Sequence, residues 1–277
     1  MTGLEVVNRE LHLPDEWQLG GGGRVRWTPP NPRLLDRPGF RDVGSYADYP
    51  IDPVFAVTLL DRNARVIPMH ANERNWTPAR LELKYRLPQA LVTERRAVLS
   101  LYSCVCQLTM THGSSVTEHY WIVLWTRRPG KGCGHALSDI EANAQGITFQ
   151  ETFPTPDGES MVWSGALGAS FDADSWSVNG SESRSPAELT WENSPFYDLM
   201  APGGLPGHFP ATDSDSSFTY LALAYPFEIQ PGERLVLTLA SAYAPEVEQA
   251  RNQLERSVSL INPIQDSEED WISWFED

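Results

Sequence analysis

Arg234-Leu-Val-Leu-Thr-Leu-Ala-Ser-Ala-Tyr243, continued by Ala244-Pro245 and then Glu246-Val-Glu-Gln-Ala250, is the stretch in which a sheet-forming chain turns into helix. The first ten residues carry the composition of a strand buried in a core. Pro245 suits the first position of a helix, where its missing N–H would have no partner anyway. From there Val247, Ala250, Leu254, Val258 and Ile261 follow helical spacing, with Glu246 and Glu248 at the positive end of the dipole. Asn262-Pro263 should end that helix. Asp266 or Ser267 then suits the cap of a short second helix, with Glu268, Glu269 and Asp270 in its first turn. Its apolar side would be Trp271, Ile272, Trp274 and Phe275. Such a side either folds back on the body of the protein or forms the joint to a further domain or subunit, and the second reading is adopted.

Working back from this stretch, strand signals recur from Pro53 onward. They are Val54–Leu60, Ala79–Leu87, Ala97–Met110, Thr117–Trp125, Gly146–Phe153, Ser160–Ala169 and Phe218–Tyr225. Turn residues separate them, which suits a sandwich and not alternating helix and strand units. Val98–Thr111 and Val116–Thr126, joined by His112-Gly-Ser-Ser115, form the best hairpin pattern. Trp121, Val123 and Trp125 would share one face. The expected class is mainly β, a large antiparallel β-sandwich of the super-sandwich type with a C-terminal linker helix and a short aromatic helix. The expected organisation is an irregular arm with one short strand over 1–52, the sandwich over 53–243 with a long loop region at 170–217, and a helical linker over 244–277.

The 277 residues carry 21 Lys plus Arg against 37 Asp plus Glu, a formal charge of −16. That balance argues against nucleic acid or an anionic membrane as partner, because both require a basic footprint. Cys104 and Cys106 lie two apart on a strand and point to one face, so with Cys133 they read as thiols of a reducing compartment. No basic region followed by an apolar run opens the chain and no long apolar segment interrupts it, so the expected location is cytoplasmic.

Chemical motifs are sparse. His70, His112, His119 and His135 lack the spacing of a metal site. No nucleophile elbow is present, since Trp163-Ser-Gly-Ala lacks the first glycine. The Gly20–Gly23 run lacks the spacing of a phosphate loop. No catalytic residue, metal or cofactor is therefore assigned. Ten Trp, nine Tyr and ten Phe offer ring faces of the kind on which sugars stack, and they are also ordinary core filling. The most suggestive segment is Leu189-Thr-Trp-Glu-Asn-Ser-Pro-Phe-Tyr-Asp198, where Trp191, Phe196 and Tyr197 surround Glu192. Trp191, Glu192, Phe196, Tyr197 and Asp198 are the candidate carbohydrate contacts. Packing of those rings onto the sheet is the competing outcome.

The succession Tyr220-Leu-Ala-Leu-Ala-Tyr225, Pro231-Gly-Glu-Arg-Leu-Val-Leu237, the helix Val247–Ile261 and the Trp271-x-x-Trp274-Phe275 helix resembles the amino-terminal sandwich domain of α/α-barrel glycoside hydrolases of the glucosidase, trehalase and glycogen-debranching type. The resemblance rests mainly on residues 218–277. It implies that the catalytic carboxylates sit on the barrel, and that the sandwich supports the barrel and lends loops to the rim of its substrate pocket. The implied partners are an α/α-barrel domain or subunit and a carbohydrate, with Trp271, Ile272, Trp274 and Phe275 at the interface. Two alternatives remain open: a self-sufficient carbohydrate-binding or aldose-epimerase-like sandwich, which would need groups such as His70 and His119 to converge, and a structural or assembly component.

Overall fold

The structure is a computed structural model, and it describes residues 25–27, 37–41, 44–46, 49–51, 53–77, 79–99, 102–130, 134–155, 158–181, 190–207 and 217–276. Its strands in chain order are β1 (Val25–Trp27), β2 (Gly44–Tyr46), β3 (Tyr49–Ile51), β4 (Ala56–Asp61), β5 (Ala71–Thr77), β6 (Arg80–Arg86), β7 (Ala90–Leu99) and β8 (Ser103–His112). They continue as β9 (Glu118–Pro129), β10 (Ala136–Asn143), β11 (Gly146–Pro154), β12 (Ser160–Ala169), β13 (Ser175–Ser181), β14 (Phe218–Ile229) and β15 (Arg234–Ala244). The helices are α1 (Phe196–Leu199), α2 (Val247–Ser259) and α3 (Pro263–Glu276). A large sheet runs β10-β11-β12-β15-β8-β7-β6-β5 and a small one β13-β14-β9-β4, with β1-β2-β3 as a separate three-stranded sheet. Among the described residues every pairing of these strands is antiparallel.

Period-two alternation explains the layering. On β9, Tyr120, Ile122 and Leu124 enter the core between the sheets, while Trp121, Val123 and Trp125 form a second buried cluster on the outer face, as expected from their spacing. On β15, Leu237, Leu239 and Tyr243 point inward, and Ala240, Ala242 and Ala244 lie under Ala250 and Leu254 of α2. The alanines let that helix approach closely. The Oγ atoms of Ser103 and Ser257 add a hydrogen bond at 2.8 Å across the same contact. Burying Leu254 there is worth about 1.5–3 kcal/mol, and each alanine methyl about 0.8 kcal/mol. The mainly β, two-sheet sandwich with C-terminal helices is the fold read from the sequence.

Three local expectations are corrected. β8 and β9 do not form a hairpin, since β8 pairs with β7 and β15 whereas β9 pairs with β14 and β4. The His112–Ser115 turn is a corner between sheets, held where His112 N–H donates to Glu233 O and the His112 ring lies 2.7 Å from Val116 O. Ala97–Met110, read as one strand, spans parts of β7 and β8, which form the true hairpin with Leu99 opposite Ser103. The second helix begins at Pro263, ahead of Asp266 and Ser267, so the first-position preference of proline applies to Pro263, while Pro245 precedes Glu246, which stands at the N-cap position of α2 without a side-chain capping bond. At 14 residues α3 is also longer than the short helix expected.

Candidate functional site

Residues 190–207, inside the region read as loop, fold back over the outer face of the small sheet. Trp191 and Phe196 are 3% and 0% exposed. The Trp191 ring meets Trp125 edge-on at 5.9 Å and stacks with Phe196 at 6.2 Å, and Phe196 meets Tyr220 edge-on at 6.1 Å. Met200 and Leu205 complete the same cluster. A short 3-10 turn, Trp191–Asn193, sets this geometry, with Ser194 donating from both N–H and Oγ to Trp191 O. Of the candidate carbohydrate contacts, Trp191 and Phe196 thus face the sheet, and Glu192, Tyr197 and Asp198 face solvent. The same 170–217 region also holds β13, which pairs with β14.

Glu192 opens onto a cavity of about 200 Å³ at the edge of the small sheet, lined in part by Arg37, Arg41, Thr58, His70, Thr190 and Trp191. The segment 37–41 closes one wall. Val57 N–H donates to Pro38 O, Phe55 N–H donates to Phe40 O, and Arg41 donates from Nε to Pro38 O at 3.0 Å and from Nη2 to Val57 O at 2.8 Å. These bonds also cover the outer edge of β4, which would otherwise expose ladder groups. Gly39 makes this route possible, since its φ is +88° and a Cβ there would lie 2.8 Å from Val57 N. A second cavity of about 580 Å³ is lined by turn and corner residues that include Asp61, Arg62, Gln89, His119 and Tyr120. His70 and His119 therefore line different cavities and do not converge.

Among the described residues, Glu94 and Glu151 are carboxylates buried inside the sandwich. Glu94 accepts from Arg96 Nε at 2.7 Å, Arg96 Nη2 at 2.9 Å and Gly39 N at 2.7 Å, and from the Tyr85 hydroxyl. Arg96 also donates to Arg37 O, so this cluster fastens the 37–41 segment to the large sheet. Glu151 accepts from Arg128 Nε at 2.9 Å and Nη2 at 2.8 Å, and His135 Nδ1 lies 2.9 Å away on its other oxygen. Burial alone would raise both carboxyl pKa values. The arginine beside each, with the bonds it receives, outweighs that and holds both below the ordinary carboxylate range. A glycosidase general acid needs the opposite shift, so neither group is suited to that role. Burial raises the Cys104 thiol, and burial with Glu94 beside it raises Cys106, so both are inert core thiols.

On the opposite outer face, α2 and α3 cover the large sheet. Ser267 Oγ donates to Ala79 O, and Arg80 pairs with Glu268 at 2.5 Å. Trp271 and Ile272 are half-buried, and Trp274 and Phe275 lie on the last turn of α3, their side chains outside the described residues. The two sets of candidate contacts are thus on different faces. Among the described residues no group of three or more His, Cys, Asp or Glu is gathered for a metal ion, and no helix is long and apolar enough to cross a membrane.

No family profile matches this chain, and no curated protein does. Among solved structures the fold is shared with the gh92 family glycosyl hydrolase ccman5, at a TM-score of 0.53 and 13% identity, over 94% of this chain and 34% of that one. It is shared equally with a bacterial glucoamylase solved with acarbose, at a TM-score of 0.51 and 11% identity, over 94% of this chain and 38% of that one. A putative aldose 1-epimerase from Escherichia coli K12 covers 83% of this chain and 98% of its own at 10% identity, but at a TM-score of 0.49 that likeness carries no argument. The resemblance read from residues 218–277 therefore holds at the level of fold. This chain corresponds to a minor part of each of the two larger glycoside hydrolases.

Proposed function

We propose that this chain is the non-catalytic β-sandwich of a carbohydrate-cleaving enzyme, supporting a separate α/α-barrel catalytic domain or subunit and lending residues 191–198 to the rim of its sugar pocket. The observation that carries this reading is the asymmetry of the structural matches. Almost the whole chain aligns with 34% and 38% of two glycoside hydrolases, which leaves most of each enzyme without a counterpart here. The arginine-bound states of Glu94 and Glu151 agree with chemistry located elsewhere. In this reading the arm spans 1–52, the sandwich 53–243 and the linker 244–277. Glu192, Tyr197 and Asp198 are its rim contacts, anchored by Trp191 and Phe196, and Trp271, Ile272, Trp274 and Phe275 form the joint. A cytoplasmic location is proposed on the free, buried Cys104 and Cys106.

The test is an assay of the purified chain on aryl α-mannosides and malto-oligosaccharides, with polarimetry for aldose mutarotation. No turnover is expected in any of them. Turnover that follows the chain through purification and disappears in a His135→Gln or Glu151→Gln variant would overturn the non-catalytic assignment. Co-expression with an α/α-barrel chain from the same genome should yield a complex that Trp271→Ser and Phe275→Ser disrupt.

A further inference from the structure

The cavity beside Glu192 differs in charge from the rest of the molecule. The chain carries −16 overall, yet among the described residues Arg37, Arg41 and His70 line this cavity against one carboxylate, Glu192. Its walls come from the segments 37–41, 57–59, 66–70 and 190–192, held by hydrogen bonds and ring contacts. Pro38 and Arg41 are tied to Val57, and Ile67 N–H donates to Leu59 O at 2.9 Å. Trp191 is pinned by Trp125 and Phe196. The site is thus preformed, which removes much of the ordering cost of binding.

Arg41 is 7% exposed. Burial, with Arg37 and Arg96 nearby, lowers its pKa to about 10. Glu94 and Tyr85 act in the opposite direction, and charge-assisted bonds from a buried guanidinium to an anion are the strong kind. At about 200 Å³ the space lies below the range of drug-sized pockets and suits one small ring. Stacking is not what this site offers, because the Trp191 ring is already engaged by Trp125 and Phe196. Polar groups other than the charged ones are present in Thr58, which accepts from Trp125 Nε1 and keeps its own O–H, and in Thr190.

We infer that this cavity binds a single monosaccharide bearing a carboxylate or a phosphate, its anion held by Arg37, Arg41 and His70 and a ring hydroxyl by Glu192. The inference rests on the reading of the chain as carbohydrate-directed and adds to it the charge and size of the ligand.

Isothermal titration calorimetry of the full chain with glucuronate, glucose 6-phosphate, glucose and inorganic phosphate tests it. Saturable 1:1 binding of glucuronate or of glucose 6-phosphate is expected, about tenfold or more tighter than glucose or inorganic phosphate and weakened by salt. Which of the two binds identifies the anion. Arg37→Gln and His70→Gln should each weaken binding about tenfold with the urea midpoint unchanged, and His119→Gln, in the other cavity, should leave it as it was. Shifts of the His70 imidazole resonances on titration give a readout that needs no variant. Absence of saturable binding by both anionic sugars, or binding that is indifferent to Arg37 and His70, would overturn the inference. Glucose binding as tightly as glucuronate would overturn the anionic assignment while leaving the proposed sandwich role intact, and inorganic phosphate binding as tightly as the sugar phosphate would remove the sugar.

Discussion

Replacing Trp191 by Ala distinguishes an anchor from a sugar platform. The ring is 3% exposed and is held by Trp125 on one side and Phe196 on the other. A tryptophan of this burial removes about 150–250 Å² from water, which at about 25 cal/mol per Å² sets an upper bound near 4–6 kcal/mol. Measured losses for buried aromatic-to-alanine changes run at about 3–5 kcal/mol. Phe196, Met200 and Leu205 remain as anchors, each worth about 1.5–3 kcal/mol, so the segment stays docked around a cavity and the loss is felt by the whole fold. The expectation is a destabilisation of about 3 kcal/mol in equilibrium urea unfolding. Protection of the Met200 amide, which donates to Phe196 O at 2.9 Å, should fall with it in hydrogen exchange. Tyr197, 53% exposed on the next turn, supplies the contrast, and Tyr197→Ala should cost less than about 1 kcal/mol. If the two variants shifted the urea midpoint equally, the anchoring role of Trp191 would be wrong and its ring would be free for ligand.

Three further outcomes follow from the buried charges and the 37–41 segment. Glu94→Gln leaves the fully buried Arg96 guanidinium without its carboxylate and should destabilise the protein by about 3–5 kcal/mol in urea; a loss under about 1 kcal/mol would show that the pair contributes nothing. Because the folded-state pKa values of Glu94 and Glu151 lie below the ordinary 4.5, their stabilisation is complete above that value and is lost as pH falls through the folded-state values. Acid unfolding followed by tryptophan fluorescence should therefore steepen below about pH 4.5, and the steepness should diminish in Glu151→Gln. Gly39→Ala forces a side chain against Val57 N at φ +88° and should cost about 1–3 kcal/mol in thermal or urea unfolding; a neutral result would mean that the segment shifts freely.

The strands that were legible in the sequence are those buried on at least one face for most of their length. β9, β14 and β15 read at once as apolar runs. β5, β10 and β13 did not, and all three are edge strands. Ala-Asn-Glu-Arg-Asn-Trp-Thr of β5 is exposed along most of its length, so no alternation survives to be seen. An edge tolerates charge, and charge is also what keeps it from pairing with another chain. The misplaced hairpin has a different cause. His112-Gly-Ser-Ser115 turns the chain equally well within a sheet or between two, and the choice depends on which strands, over a hundred residues away, arrive to pair with β8 and β9.

The candidate loop illustrates both sides. Its aromatics stood out because apolar rings in a loop need a partner, and the partner was present in Trp121-Ile-Val-Leu-Trp125, a run apolar on both faces that needs cover on both. The cavity residues Arg37, Arg41 and Thr190 carried no local signal, since only the fold brings 37–41 next to 190–192. The Glu94 and Arg96 pair, two apart on one strand and thus on one face, was the available hint of a buried charge.

The separation of the two candidate contact sets constrains any partner. Residues 190–205 cover the small sheet, and α2 and α3 cover the large one. With sheets about 10 Å apart and a helix layer about 10 Å beyond, on the order of 20–30 Å of protein lies between them. A partner resting flat on either face reaches only one set. The lateral side at β4 resolves the difficulty, because the 37–41 segment there bridges from Val57 on the small sheet to Glu94 on β7, and α3 packs on β7 and β6 of that same side. A barrel meeting the sandwich along this side would touch α3 and the cavity lined by Glu192, whereas Phe196 lies further in, against Tyr220 of β14. Of the proposed rim groups, Glu192 is the one that lines a cavity sharing a wall with the 37–41 segment.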